Sequence, residues 1–286
     1  MNNIKKSLLY IVTQAEWGGA QKYVFDLAMN LTEEFDITVA AGADGSSREL
    51  LDKLASTGVK NFTFKHLKRD ISLWHDVLAV FEIAKFLRQN NFDIIHLNST
   101  KAGVIGAMAA WLNRFLALLG MTKRGLQISY LSGWQGLGMA KNKIIYTAHG
   151  WAYSEPLPFY KRRLYLLMEK IAARLRDRTI VLSEKEKQNA LQHGTAKPDA
   201  VSIIANGLDL ANLQFFTKEQ ARQKLNLEQN QTIIGTIANL YKTKGLEYFI
   251  EAAGIINSEH LALNFKLMII GEGPECTNLE SKIKNY

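Results

Sequence analysis

Cysteine is nearly missing from this chain: Cys276 is the only one in 286 residues, which excludes an internal disulfide and fits a reducing compartment. No Asp-x-Asp occurs, and no His/Cys cluster has metal-ligand spacing. G-x-S-x-G, H-E-x-x-H, a P-loop and a complete G-x-G-x-x-G are also lacking; GEGPEC stops short of the last glycine. Serine hydrolase, zinc protease and NTPase chemistry therefore have no support. Long hydrophobic runs are scarce too. The N-terminal MNNIKKSLLYIVTQ places two lysines before an apolar run of seven residues, Ser7 to Thr13, with no A-x-A site after it, so it reads as a first strand and not as a leader. The segment AGVIGAMAAWLNRFLALLG is apolar over 19 residues but holds Asn113 and Arg114 near its middle. An arginine at mid-bilayer costs at least about 2.5–3.5 kcal/mol. The segment also follows a strand-like run directly, so it reads as a helix buried against a sheet.

What the chain does have is apolar content and positive charge. It is 47% hydrophobic and 22% charged, the composition of a globular protein with a real core. Its length exceeds the roughly 150 residues of a typical domain, which suggests one complete domain and part of another. Net charge is +8 with a pI of about 9.4. Between Lys141 and Arg178 nine Lys/Arg stand against Glu155, Glu169 and Asp177, which places +6 of that charge in one stretch. A solvated helix face explains this. So does attraction to an anionic lipid surface or a phosphorylated substrate. Nucleic acid is disfavoured, because aromatic platforms do not alternate with the basic residues.

Short apolar runs alternate with helical patterns, the mark of a parallel α/β sheet. Strands are expected at Ser7–Thr13, Asp36–Ala41, Phe62–His66, Asp93–Asn98, Lys143–Ala148, Thr179–Ser183 and Val201–Ala205. Helices are expected near Ala20–Leu31, Ser47–Thr57, Trp74–Asn90, Lys101–Leu118, Tyr160–Arg174 and Glu184–His193. Runs such as DIIHLN and KIIYTA lack strict alternation, so helices should cover both faces. Residues 1–205 thus read as a complete doubly wound Rossmann-like domain, with ligands at the carboxyl ends of its strands. Gly120–Asn142 holds five glycines and reads as a surface insertion loop carrying Trp134, Leu137 and Met139. Residues 206–231 read as a hinge, polar and helix-prone in QARQKLNLEQNQ. Residues 232–286 then give β, α, β, α, the opening of a second Rossmann-like domain, which should leave a sheet edge and an apolar face uncovered.

Four strand-end elements carry candidate chemistry. Gly18-Gly19-Ala20-Gln21 lies between the first strand and its helix, where paired glycines admit a ligand to the backbone and a helix N-terminus offers N–H groups. Asn98-Ser99-Thr100-Lys101 ends a strand, with Ser99 or Thr100 a natural N-cap. His149-Gly150-Trp151 puts a histidine at a strand's carboxyl end, within reach of a sugar hydroxyl or of a local carbonyl. Lys242-Thr243-Lys244-Gly245 places lysines where a helix begins, suited to a pyrophosphate leaving group. Each alone has an ordinary structural explanation.

Their order carries the weight. Gly-Gly after the first strand, TAHGW, IVLSE, IANGLD, IGTIANLYKTKGLEYFIEA and LMIIGEGPE resemble, over nearly the whole chain, a retaining glycosyltransferase of family 4 with the GT-B fold. The resemblance implies a complete N-terminal domain on the acceptor side and the first βαβα of a nucleotide-sugar-binding domain. It implies that Gly18 and Gly19 line the ligand cleft, that His149 reaches the transferred sugar, that Lys244 contacts the donor diphosphate, and that Gly271, Glu272 and Gly273 lie near the nucleotide. Where the family commonly has a second, arginine contact to the diphosphate, this chain has Asn239, which hydrogen-bonds without neutralising charge. The Glu-x7-Glu segment expected several dozen residues beyond LMIIGEGPE is not reached by Tyr286, so the main catalytic glutamate is expected to be absent and turnover by this chain is not expected.

The function so implied is transfer of a sugar from a UDP- or GDP-linked donor to a lipid-linked or other glycan acceptor, with retention and without metal or other cofactor, in cell-surface polysaccharide synthesis. The expected place is the cytoplasm, at the inner face of the membrane, with the Lys141–Arg178 stretch on the lipid. The rivals are a sugar-nucleotide epimerase of the same architecture, which needs no acceptor, and a non-catalytic acceptor-binding module.

Overall fold

The computed structural model describes residues 5–45, 47–118, 121–122, 125–126, 142–208, 210, 213–258 and 265–284. The chain divides into two compact units, Met1–Gly207 and Leu208–Tyr286.

The first unit is built on one parallel sheet. Its strands are β1 (Lys6–Val12), β2 (Phe35–Gly42), β3 (Lys60–Phe64), β4 (Ile94–Asn98), β7 (Lys143–Ala148), β8 (Arg178–Val181) and β9 (Val201–Ile203). The two-residue strands β5 (Met121–Thr122) and β6 (Gly125–Leu126) pair separately and antiparallel. The main sheet runs in the order β3-β2-β1-β4-β7-β8-β9. The intervening helices are α1 (Gly19–Asn30), α2 (Glu49–Ala55), α3 (Leu73–Gln89), α4 (Thr100–Leu118), α5 (Phe159–Leu175) and α6 (Glu184–His193). Side chains of β1 divide by parity, as a sheet buried on both faces requires. Leu8, Tyr10 and Val12 enter a core with Val24 and Ala28 of α1 and Leu50, Leu51 and Leu54 of α2. Leu9 and Ile11 enter the opposite core, with Ile83 and Leu87 of α3 and Ala102, Ile105 and Ala109 of α4.

Helix α4 therefore covers the sheet, and no helix among the described residues is long and apolar enough to cross a membrane. Arg114, the residue that argued against a bilayer, bonds Asp177 at 2.6 Å and Asn142 Oδ1 at 3.1 Å, fixing α4 to the starts of β7 and β8. Helix α6 starts on Ser183, whose hydroxyl accepts from Glu186 N at 3.3 Å, and stops at Gly194 with φ of 65°. Several strands end sooner than expected: the β9 ladder covers Val201–Ile203 and not Val201–Ala205, and β3 is shifted to Lys60–Phe64. The expected loop residues Trp134, Leu137 and Met139 lie outside the described residues.

Not all of the basic stretch is surface charge. Arg176 is not a surface cation: its side chain is 1% exposed, bonds the fully buried Glu169 at 2.8 Å, and lies 3.8 Å over the Tyr146 ring. Gly103 of α4 makes the room, because a Cβ there would stand 2.6 Å from Tyr146 and 2.9 Å from Arg176 Nη2. Lys141 lies outside the described residues; Lys143, Lys161, Arg162, Arg163, Lys170, Arg174 and Arg178 are exposed.

The second unit begins with the short helix α7 (Lys218–Lys224), capped by a reciprocal Thr217–Gln220 box. It continues as β10 (Thr232–Ile237), α8 (Leu246–Ser258), β11 (Phe265–Ile270) and α9 (Cys276–Ile283), with β10 and β11 parallel. Leu240, Leu246, Ile250 and Leu279 form its small core. As the composition of two βα units leads one to expect, Ile234, Ile237 and Ile270 remain exposed.

Candidate active site

In the first unit β1 pairs with β2 on one side and β4 on the other, so successive connections diverge between β1 and β4. Sheets of this kind hold ligands outside the strand ends at that divergence. The ends themselves are linked there. Thr13 Oγ1 and Ser99 Oγ are 2.6 Å apart, Ser99 Oγ accepts from Thr13 N at 3.3 Å, and Thr13 Oγ1 accepts from Ala102 N at 3.2 Å. Ser99 holds φ of 130°, which a side-chain-bearing residue adopts only at a cost of roughly 1–3 kcal/mol. Ser99 or Thr100 was expected as the helix cap, and α4 starts at Thr100, directly after Ser99. The Ser99 carbonyl does open α4, accepting from Gly103 N at 2.7 Å, but its hydroxyl is spent on β1. Beside this link lies a cleft of about 320 Å³, lined among others by Gln14, Gln21, Arg69, Ser99 and Lys101. Lys101 is paired with Asp76 at 2.7 Å and also reaches the Asp70 carbonyl.

The Gly18-Gly19 turn meets the same region. Gly18 caps α1 in extended backbone, and a Cβ on Gly19 would point into open space, so packing does not demand glycine there. Tyr23, one turn into α1, lays its ring edge-on to His149 with centroids 4.8 Å apart. Thus α1 and the end of β7 are brought together. Beneath them His96 Nε2 stands 2.7 Å from Thr147 Oγ1, which lies 3.4 Å from the Tyr23 hydroxyl. The imidazole of His149 is half-buried as a whole, but its Nε2 is itself shielded from solvent and has no protein partner among the described residues. Burial lowers the His149 pKa to about 4. Burial first, and the neighbouring His149 second, lower that of His96 to about 3. Both rings are therefore neutral at pH 7, when His149 can donate or accept a hydrogen bond without bringing charge into the site. Burial raises the pKa of Tyr23, so its phenol stays protonated.

In the second unit the remaining candidates gather at the carboxyl ends of β10 and β11. Leu240 N donates to the Glu272 carbonyl at 2.8 Å and Glu275 N donates to the Leu240 carbonyl at 3.0 Å, so the loop holding Asn239 is zipped to Gly271-Glu272-Gly273. The glycines are dictated by this closeness. Gly271 has φ of 155° and a Cβ there would stand 1.9 Å from the Ala238 carbonyl oxygen; at Gly273 the values are 156° and 2.7 Å from the Leu240 carbonyl oxygen. Lys242–Lys244 form one 3-10 turn, Gly245 follows with φ of 62°, and α8 opens at Leu246. Asn239, Lys244 and Glu272 are exposed on this edge.

Three of the four strand-end elements are thus assembled in one place, and the fourth joins the GEG loop in the other unit. Sequence reasoning missed Thr13, Tyr23, His96 and Thr147. The signal was polar side chains inside otherwise apolar strand runs, His96 in DIIHLN and Thr147 in KIIYTA, which only a contact on the covered face explains.

A doubly wound unit with the switch-point site, followed by a βαβα unit with a glycine-lined strand edge, defines a GT-B architecture. Residues 18–207 match the glycosyl transferase 4-like domain and residues 217–286 match glycosyl transferases group 1. The chain belongs to the glycosyl transferase 4-like family. It is 26% identical over 258 residues to an Escherichia coli UDP-Gal:alpha-D-GlcNAc-diphosphoundecaprenol alpha-1,3-galactosyltransferase, covering 90% of this chain and 58% of the relative. It is 25% identical over 209 residues to the Staphylococcus aureus capsular polysaccharide biosynthesis glycosyltransferase CapM, covering 72% and 47%. The chain therefore spans about half the length of these relatives. Among solved structures, Anabaena Alr3699/HepE in complex with UDP and glucose superposes with a TM-score of 0.67 at 17% identity, over 97% of this chain and 66% of that one. A UDP-N-acetylglucosamine 2-epimerase superposes with a TM-score of 0.56 at 14% identity, over 92% and 63%, so the fold is common to transferases and epimerases.

Proposed function

We propose that this chain carries the acceptor side and the opening of the donor side of a retaining glycosyltransferase. A transferase so built moves a hexosyl group from a nucleotide-sugar, UDP- or GDP-linked, to a lipid-linked glycan in cell-surface polysaccharide synthesis. The carrying observation is His149, a neutral imidazole with an unpartnered Nε2 at the strand-end site, held by Tyr23 beside the Gly18-Gly19 turn. Support for the substrates comes from the Escherichia coli relative, named for UDP-Gal and a diphosphoundecaprenol acceptor, and from the UDP and glucose bound by the Anabaena neighbour.

In this reading the cleft beside Thr13 and Ser99 takes the acceptor, and His149 hydrogen-bonds the transferred sugar. Neutrality matters: a charged imidazole would repel the positive charge that develops at the anomeric carbon. Lys244 meets the departing diphosphate without a metal ion. Asn239 adds a hydrogen bond only, and Gly271, Glu272 and Gly273 border the nucleotide. The exposed cations of the 141–178 stretch keep the enzyme on the inner, anionic face of the cytoplasmic membrane.

Calorimetric titration of the chain with UDP-galactose, UDP-glucose and GDP-mannose tests the reading. One of them binds, and Lys244→Ala weakens it roughly 10- to 100-fold, the worth of a charge-assisted hydrogen bond. Retained glycolipid binding with no nucleotide-sugar binding would overturn the transferase in favour of the acceptor-binding module. Conversion of a nucleotide-sugar without acceptor would make it an epimerase.

A further inference from the structure

Helix α5 has two apolar stripes. The inner one, with Ala172 and the partly buried Tyr165 and Met168, joins the sheet-covering core. The other is Tyr160, Leu164, Leu167 and Ile171, spaced i, i+4, i+7, i+11 and therefore aligned along one side of the helix. These four are 68%, 42%, 55% and 37% exposed. Phe159, 68% exposed with the Arg163 guanidinium 4.3 Å over its ring, extends the patch at the N-terminal end. Lys161, Arg163, Lys170 and Arg174 are exposed on the same helix. Its one acid, Glu169, is turned inward to Arg176, so the outward side of α5 presents an apolar ridge and cations with no counter-charge from its own helix.

We propose that this face of α5 is a membrane-docking surface. The ridge enters the headgroup–acyl boundary of an anionic bilayer with the helix lying in the interface plane, while the flanking cations meet lipid phosphates. The inference deepens the membrane reading above by assigning it to one helix face, and it rests on that reading for its purpose. Charge selects the occupant. A second copy placed ridge to ridge would bring two sets of basic side chains together without compensation, whereas anionic headgroups neutralise them. The geometry supplies the rest: seventeen helical residues make a rod about 25 Å long, enough to lie along the surface but not to cross it.

Flotation of the purified chain with vesicles tests this directly. The wild type floats with vesicles of equal parts phosphatidylcholine and phosphatidylglycerol and stays behind with phosphatidylcholine alone. Leu164→Gln with Leu167→Gln lowers partitioning at least roughly tenfold, because two apolar insertions are lost. Arg163→Glu with Lys170→Glu lowers it by a similar factor at low salt and by less at high salt. All four positions point to solvent, so circular dichroism and thermal melting stay unchanged. Wild-type protein that ignores anionic vesicles, or variants that float equally well, would overturn the proposal. So would a concentration-dependent dimer that Leu164→Gln with Leu167→Gln dissolves. The two readings fail separately: vesicle binding without nucleotide-sugar binding removes the transferase, and the reverse removes the docking face.

Discussion

Acid should unfold the first unit through the imidazoles under its strand ends. The perturbation is a fall in pH from 7 to 5. An ordinary histidine titrates near 6.5, and burial holds His149 at about 4 and His96 at about 3. With the folded-state pKa depressed, the unfolded chain takes up protons first, so stability is intact above about 6.5. It is lost as pH falls through the interval between the unfolded and folded values. For His149 the interval from 6.5 to about 4 is worth about 3 kcal/mol, and about 2 kcal/mol of that is gone by pH 5. His96 adds a loss that is not independent, since His149 is one cause of its depression. The combined loss is a large part of the roughly 5–15 kcal/mol that holds a domain folded. Urea midpoints of the wild type and His149→Gln at pH 7 and 5 measure it: the variant should lose less on acidification, by about 2 kcal/mol. A histidine NMR titration is the direct check. A His149 ring that titrates near the ordinary 6.5 would refute the linkage argument, since no stability would then be tied to its protonation between pH 7 and 5.

Three other perturbations have clear signs. Glu169→Gln leaves the Arg176 guanidinium buried and unpaired, which should cost about 3–5 kcal/mol in urea unfolding. Leucine at 169 with methionine at 176 should recover most of that, since a buried pair gains little over apolar packing. Gly271→Ala forces a methyl onto the Ala238 carbonyl in a backbone with φ of 155°, and should weaken hydrogen-exchange protection in the second unit by at least about 2 kcal/mol while leaving the first unit unchanged. Ser99→Ala removes the bond to Thr13 but keeps the strained backbone, and should cost about 1 kcal/mol or more, read as a lower melting temperature.

Much of this protein was legible in its residues. Short apolar runs and period-3.6 patterns located nearly every strand and helix, because burying apolar side chains at those spacings is a local property of the chain. The motif order gave the family, and strand-end positions singled out His149, Gly18-Gly19 and the lysine turn as candidates, because in a doubly wound sheet position along the strand already says which end can meet a ligand. Three things needed the tertiary structure. Arg176 looked like one more surface cation, and only its meeting with Glu169 and Tyr146 beside Gly103 makes burial tolerable. The relay Tyr23–Thr147–His96 joins residues 124 and 51 positions apart, a separation that carries no local signal. Ser99 or Thr100 read as the helix cap; Ser99 does stand at the start of α4, but only the pairing of β1 with β4 brings Thr13 close enough to claim its hydroxyl. Sequence by itself determined which elements form and which of their ends bear chemistry. Contact between distant strands decided which polar groups are hidden, neutral or strained, because desolvation and partner choice depend on what lies across the sheet and not along the chain.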